Sequence, residues 1–498
     1  MRPVRLRRNP RGDVSDLSET GTLRSETQSF ALLGMVSRLG QGGSVLLAAV
    51  LLDPAQFGQL GVLIGAQVLT MMLAAQWFEP AILRVGSTSD NRTGAISISL
   101  ARSIRALQAR GSLAAALVAF VLTWFAAAAL DISANLLLLA TLAAVVRSFA
   151  LFLPTAMFRA CGDVGSLQTL LATCWGLAFL FRVGGSAVLP SSPLGFVVGD
   201  LAAALIFGFV AFRRVLNAPQ RPTAQEERIA VGWRDVALVP HFVAIWALGY
   251  ADRFFLVGEI DGDLLGHYEI SYQLGALIGF VALELSRAAM AQYALAANDG
   301  AVSLRPRLRR AENSFLLLVA GAAAVVSGVA ALTWNGLPFL SDYGDYAGIL
   351  GIVAAAQIPL ALYSLAAIRI ANVTGDTQRL WLASVGGAAA GLFLLAQVVP
   401  TGDLSLVAAS SVVGFGVTMT IALVLDRSEA ASRKSVHGFF VAAFAGLLVF
   451  ANASLHDSGS AMTVLVVLGL VMVVRGLHRW ITLDRVDKTL DLVDITNS

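Results

Sequence analysis

Apolar residues run along this chain in blocks of about twenty, separated by short polar turns. A helix rises 1.5 Å per residue, so roughly twenty apolar residues cross the ~30 Å hydrocarbon layer of a bilayer. Blocks of that kind occupy 29–51, 55–77, 112–130, 133–156, 166–189, 193–213, 236–258, 264–289, 314–337, 346–368, 378–399, 404–425, 437–453 and 460–476. The pattern predicts fourteen spanning helices. Charge gives an independent test, because Lys and Arg collect in cytoplasmic loops. With the N-terminus inside, the inner segments carry Arg84, Arg92, Arg102, Arg105 and Arg110, then Arg159, then Arg213, Arg214, Arg221, Arg228 and Arg234. They continue with Arg305, Arg307, Arg309 and Arg310, then Arg379, then Arg427, Arg433 and Lys434, and the tail adds Arg479, Arg485 and Lys488. The alternate turns hold Asp53, Asp131, Glu259, Asp261, Asp263, Asp342, Asp345, Asp403 and Asp457, with neither Lys nor Arg. One miscounted block would mix the two lists. Both chain ends are therefore expected in the cytoplasm.

Composition agrees. The 498 residues are 57% apolar and 13% charged, where a soluble domain carries about 25% charged residues. The basic balance of +3 follows from one-sided arginine and requires no nucleic acid. Cys161 and Cys174 do not make a disulfide framework. The polar, basic stretch 1–28 reads as a disordered cytoplasmic N-terminus rather than a cleaved signal peptide. The outer turns are short, and neither inner loop, 78–111 nor 214–235, is long enough to fold a catalytic domain. Within 94–110, Ile104 and Leu107 fall opposite Arg102, Arg105 and Arg110, the pattern of an amphipathic helix on the inner surface.

The chain also repeats itself. Asp53 and Gly58 enter the second block as Asp261 and Gly266 enter the eighth, 208 positions later in each case. Arg159 with Gly162-Asp163 and Arg369 with Gly375-Asp376 mark matching inner loops, the Gly-Asp pairs 213 apart. Two six-helix halves follow, 29–213 and 236–425, joined by a cytoplasmic linker at 214–235. The extra spans lie in 426–476, with a cytoplasmic tail at 477–498. Six is even, so both halves keep one orientation and are related by an axis along the membrane normal, with a substrate path between them. The expected fold is an all-α integral membrane protein of about fourteen transmembrane helices: two six-helix bundles with a pseudo-twofold axis, plus two C-terminal helices.

Several motifs resemble one family. Asp252-Arg253, Leu265-Gly266-His267-Tyr268 and Tyr272 resemble the signature in the middle of bacterial polysaccharide flippases, which belong to the multidrug/oligosaccharidyl-lipid/polysaccharide exporter superfamily. The stretch from Asp53 to Arg84 is similar to that family's first hairpin, and Gly375-Asp376-Thr377 to its Gly-Asp-Thr. The resemblance covers roughly 29–425. His267, Glu269 and Glu79 depart from it, placing polar groups where the family is apolar or small. The resemblance implies two bundles around a central cavity that opens alternately to each side of a bacterial inner membrane. It implies a polyprenyl-diphosphate-linked glycan as substrate, surrounding membrane lipids, and a polysaccharide polymerase and chain-length regulator as partners.

Ionisable residues inside the blocks carry the remaining chemistry. A charge at mid-membrane costs a few kcal/mol unless it finds a partner or water. Arg182 and Asp200 each lie about 10 Å from the outer ends of adjacent antiparallel blocks, the placement of a structural ion pair. Arg253 and Glu269 sit at similar depth on a hairpin, whereas Asp252 and Arg253, being consecutive, point apart. Moving a sugar diphosphate across the layer requires replacing its water, and arginine's planar fork suits phosphate. Arg38 ranks first for that role, then Arg147 and Arg253, with Arg84 at the cytoplasmic mouth. Tyr268 and Tyr272 are candidates to stack on sugars. No cofactor is implied. Proton or sodium coupling stays open, with Glu79, Asp200, Asp252, Glu269 and His241 as titratable candidates. A cation-coupled multidrug antiporter of the same superfamily and a peptidoglycan-precursor flippase are the competing readings. A membrane enzyme is disfavoured by the short loops.

Overall fold

The computed structural model describes residues 40–75, 132–160, 164–190, 192–217, 238–298, 304–334, 346–370, 379–426, 431–455 and 458–496, with isolated positions at 82, 96–97, 102–104, 106, 110, 117, 121, 220–221 and 236. These residues are almost wholly helical. In chain order the helices are α1 (Gly40–Leu51), α2 (Pro54–Ala74), α3 (Ala134–Ala160), α4 (Val164–Val188) and α5 (Pro193–Asn217) in the first half. The second half holds α6 (Leu238–Leu256), α7 (Gly262–Asn298), α8 (Leu304–Thr333), α9 (Ala347–Arg369), α10 (Leu380–Val398) and α11 (Leu404–Leu425), followed by α12 (Ala431–Ser454) and α13 (Gly459–Thr496). Apart from 112–130, of which only 117 and 121 are described, the described part of every apolar block is helical; of the first block, 29–51, that part is 40–51. The protein is an all-α multi-pass membrane protein. Ten described helices are long and apolar enough to cross a membrane. α6 and α7 fall outside that group, and they carry Asp252, Arg253, Glu269 and His241.

The acidic turns have a structural task besides sidedness. Asp53 caps α2, its Oδ1 accepting from the Gln56 amide at 2.8 Å, with Pro54 at the first helical position. Asp403 caps α11, accepting from the Ser405 and Leu406 amides at 2.9 and 3.2 Å. Such caps satisfy the orphan amides of a helix start. Gly258, at φ 85°, makes the tight turn from α6 to α7, a conformation glycine adopts without a Cβ penalty.

In the first lobe α5 packs on α3 and α4, and α2 on α3. In the second, α9 is enclosed by α7, α8, α11 and α12, while α10 joins α6 to α11. α13 lies along α8, where Gly321 and Gly469 let the backbones touch: a Cβ on either would stand 2.7 Å from the other's carbonyl oxygen. The sequence divides α13 into a span and a tail, but the helix is continuous to Thr496. Ile104 is fully buried in the same cluster as Met157 and Leu167, while Arg102 and Arg110 are exposed. Its segment is thus anchored into the first lobe. Ile96–Ser97 pairs in parallel with Gln220–Arg221, tying that loop to the linker.

α2 carries the lobe boundary, packing on both α6 and α7. Val62 and Leu63 share a core with Leu265, Tyr268 and Val353, and Phe57 and Phe196 share one with Ile270 and Leu350. These contacts lie toward the end of the bundle that carries the acidic turns.

Candidate functional site

Two buried charge networks occupy the two sides of that boundary. The first is assembled by five helices of the first lobe. α4 and α5 approach closely because Gly185, Gly195 and Gly199 leave no side chain between them: a Cβ on Gly195 would land on the Gly185 carbonyl, and one on Gly199 on the Phe181 carbonyl. This brings Arg182 and Asp200 together, with Arg182 Nε 2.5 Å from Asp200 Oδ1. Arg147 of α3 pairs with the same carboxylate oxygen and reaches the Asp200 carbonyl at 3.3 Å. Gln67 of α2 donates to Asp200 Oδ2 at 3.0 Å, and Arg182 Nη1 donates to Ser44 of α1 at 3.2 Å. The guanidinium carbons sit 6.0 Å from the Trp175 ring and 5.1 Å from the Phe196 ring. Arg147, Arg182 and Asp200 are all buried. Among the described residues, two guanidiniums share one carboxylate, so the network holds a surplus positive charge.

The second network lies on α6 and α7, facing α2. Arg253 Nε donates to Glu269 Oε2 at 2.7 Å, and its Nη1 donates to Asp252 Oδ1 and the Gly249 carbonyl, both at 2.8 Å. Gln273 holds the other Glu269 oxygen at 2.6 Å, and the Tyr268 hydroxyl donates to Asp252 Oδ2. The guanidinium lies 3.8 Å over the Tyr272 ring and 5.0 Å from that of Tyr250, within cation–π range. Here one guanidinium faces two carboxylates, the reverse balance. Asp252 and Arg253 point apart along α6 but rejoin because Asp252 turns its Oδ1 back to the Arg253 amide at 3.0 Å. Tyr268 and Tyr272 are buried, at 0% and 4% exposure, against these charges.

The boundary itself is built from glycine. A Cβ on Gly58 would stand 2.9 Å from the Gly266 amide, and one on Gly266 would meet the Pro54 backbone. A Cβ on Gly61 would stand 2.7 Å from Glu269 Cγ and Oε1. Trp246 Nε1 of α6 donates to the Gly65 carbonyl of α2 at 2.8 Å.

Arg38, Glu79 and Arg84, singled out from the sequence, lie outside the described residues, as do the Gly162-Asp163 and Gly375-Asp376 motifs. A third cluster escaped sequence reasoning: Arg369 of α9 binds Glu312 of α8 at 2.8 Å and Asp426, next to α11, at 2.7 Å. No linear signal marks it, since Glu312 and Asp426 are two of many acids on the arginine-bearing side.

No family profile matches the chain, and no curated protein matches it. Solved structures match along most of its length. The lipid II flippase MurJ, in an inward closed conformation, superposes with a TM-score of 0.61 at 10% identity, covering 91% of this chain and 97% of that one. A MOP-superfamily transporter from Pyrococcus furiosus, described by the reverse polarity of its binding pocket, gives 0.59 at 13% identity, over 83% and 96%. An outward-facing multidrug-resistance transporter of the MATE family gives 0.57 at 13%, over 83% and 96%. The chain has the fold of MOP-superfamily transporters.

Proposed function

We propose that this protein moves a polyprenyl-diphosphate-linked oligosaccharide from the inner to the outer leaflet of a bacterial cell membrane by alternating access, for surface polysaccharide synthesis. The observation that carries the reading is the polarity of the first lobe, where Arg147 and Arg182 outnumber Asp200. A diphosphate is an anion, and a preformed surplus of guanidinium within the low-dielectric layer offsets the loss of its hydration. An antiporter of cationic drugs calls for the opposite sign there. The motifs from Asp252 to Tyr272 and from Asp53 to Arg84 support the same family. With the acidic turns taken as outer, the contacts between α2 and α7 close the outer side, as a state that loads from the cytoplasm requires. Arg38, near the middle of the first span, and Arg84, at the cytoplasmic mouth, are proposed to complete the path. A polymerase and chain-length regulator are the proposed partners, receiving the glycan outside.

Two other readings have an observation each. Length favours a peptidoglycan-precursor flippase, since the lipid II flippase covers 91% of the chain. The two carboxylates around Arg253 favour a cation-coupled antiporter. The deciding experiment uses the purified protein in liposomes with a fluorescent polyprenyl-diphosphate oligosaccharide. Movement between leaflets is read by enzymatic modification of glycan on the outside. Flipping above protein-free vesicles that falls in Arg38→Ala supports the proposal. No movement, with uptake of a cationic dye instead, would replace it with the antiporter.

A further inference from the structure

The lobe boundary contains a contact between a residue with no side chain and one that cannot move aside. Gly61 of α2 fits directly over the Glu269 side chain of α7, with Glu269 Cγ and Oε1 inside the space a Cβ would occupy. Glu269 is fully buried, and each carboxylate oxygen is held, one by Arg253 Nε at 2.7 Å and the other by Gln273 Nε2 at 2.6 Å. Arg253 is in turn fixed by Asp252, the Gly249 carbonyl and the Tyr272 ring. A long side chain end ordinarily swings away from an added methyl. Here swinging breaks two buried hydrogen bonds, one of them to a charged group, which are the strong kind. The neighbouring boundary contacts, Gly58 on Gly266 and Trp246 on Gly65, lie one turn to either side and share the same closure.

We propose that Gly61 and Glu269 form a size-limited latch between the lobes, in which the Arg253–Glu269 ion pair keeps the Glu269 side chain clear of α2. Closure needs the space between residue 61 and residue 269 to stay clear: with glutamate at 269, that takes an absent side chain at 61 and Arg253 holding the carboxylate down. Anything that loosens the ion pair lets Glu269 rise against α2 and raises the population open at that end. The buried pair therefore acts on the conformational equilibrium across the boundary, and its position inside the closed seal means that parting the lobes uncovers it. The latch rests on the alternating-access reading for its part in transport, but its existence is a property of the fold.

The test is a spin-label distance across the acidic end, between Ala134→Cys on α3 and Glu259→Cys beyond α6, both exposed positions, with Cys161 and Cys174 replaced by Ser and Ala. The parent protein should give mainly one short distance. Gly61→Ala should add a longer population, raising the open fraction about tenfold. Gly61→Ala with Glu269→Ala should return to the short distance, because the clash is gone. Glu269→Gln keeps the volume and weakens the pair, so it too should lengthen the distribution, and it serves if Gly61→Ala does not fold. An unchanged distribution in Gly61→Ala, or a double variant as open as the single, overturns the latch. Flipping by the labelled parent is measured in parallel: absent flipping with the distance shifts intact sinks the transport reading and leaves the latch standing.

Discussion

Gly58 and Gly266 occupy the same place in the two halves of the chain, 208 positions apart, and they face each other across the lobe boundary, a Cβ on Gly58 standing 2.9 Å from the Gly266 amide. The contact brings the starts of α2 and α7 together. It also means that one small residue on each side sets how near the lobes come. Gly266→Ala puts its methyl on the Pro54 backbone, which has no rotamer with which to yield. The expected cost is about 1–3 kcal/mol of the closed state, read as a lower melting temperature and a longer distance across the acidic end.

The first-lobe network separates structural from transport roles. Asp200→Ala strips both guanidiniums of their carboxylate, and breaking a buried pair this way costs about 3–5 kcal/mol. Thermal unfolding in detergent should record a large drop. Arg147→Met leaves the Arg182–Asp200 pair intact and removes the surplus charge, together with the bond to the Asp200 carbonyl. Its melting temperature should change far less, while flipping of the diphosphate-linked glycan falls. Equal thermal losses in the two variants would mark Arg147 as scaffold alone.

Trp246 ties α6 to α2 through the Gly65 carbonyl. Trp246→Phe keeps an aromatic, though smaller, ring and loses the donor, the lost hydrogen bond costing about 1 kcal/mol. Because the bond spans the boundary, the loss should appear as a larger open fraction in spin-label distances rather than as unfolding.

The C-terminal pair is fastened through Gly321 and Gly469. Gly469→Leu forces α13 off α8, with an expected loss of about 1–3 kcal/mol or more. Limited proteolysis of the purified protein should then release a fragment beginning near α12.

Much of this architecture is legible in the residues because membrane spans obey two simple rules, length of apolar run and sidedness of arginine. The helices α3 to α13 follow from them. Equal depth on adjacent antiparallel blocks is also enough to place Arg182 beside Asp200. What depth does not give is the third partner, since Arg147 reaches Asp200 from a helix whose rotation no linear count fixes. Tyr268 and Tyr272 invite a sugar-stacking role as bare aromatics, yet their surroundings here are Asp252 and Arg253, seen only once α6 and α7 are folded together. The glycines of α2 carry no chemical signal in isolation. Their meaning depends on what stands opposite, and that is a tertiary fact. Glu312 and Asp426 stand among many other acids on the arginine-bearing side, so their pairing with Arg369 shows only once α8, α9 and α11 are packed together.

The unbroken course of α13 has a mechanical consequence. Its 38 residues make a rod of about 57 Å, nearly twice the ~30 Å oily layer. Packed against α8 around Gly469, the rod turns with that helix, and its far end sweeps through a larger arc than the part inside the layer. A fluorophore at the tip would turn a sub-nanometre rocking of the bundle into a displacement several times larger, reporting each cycle without touching the path of the cargo.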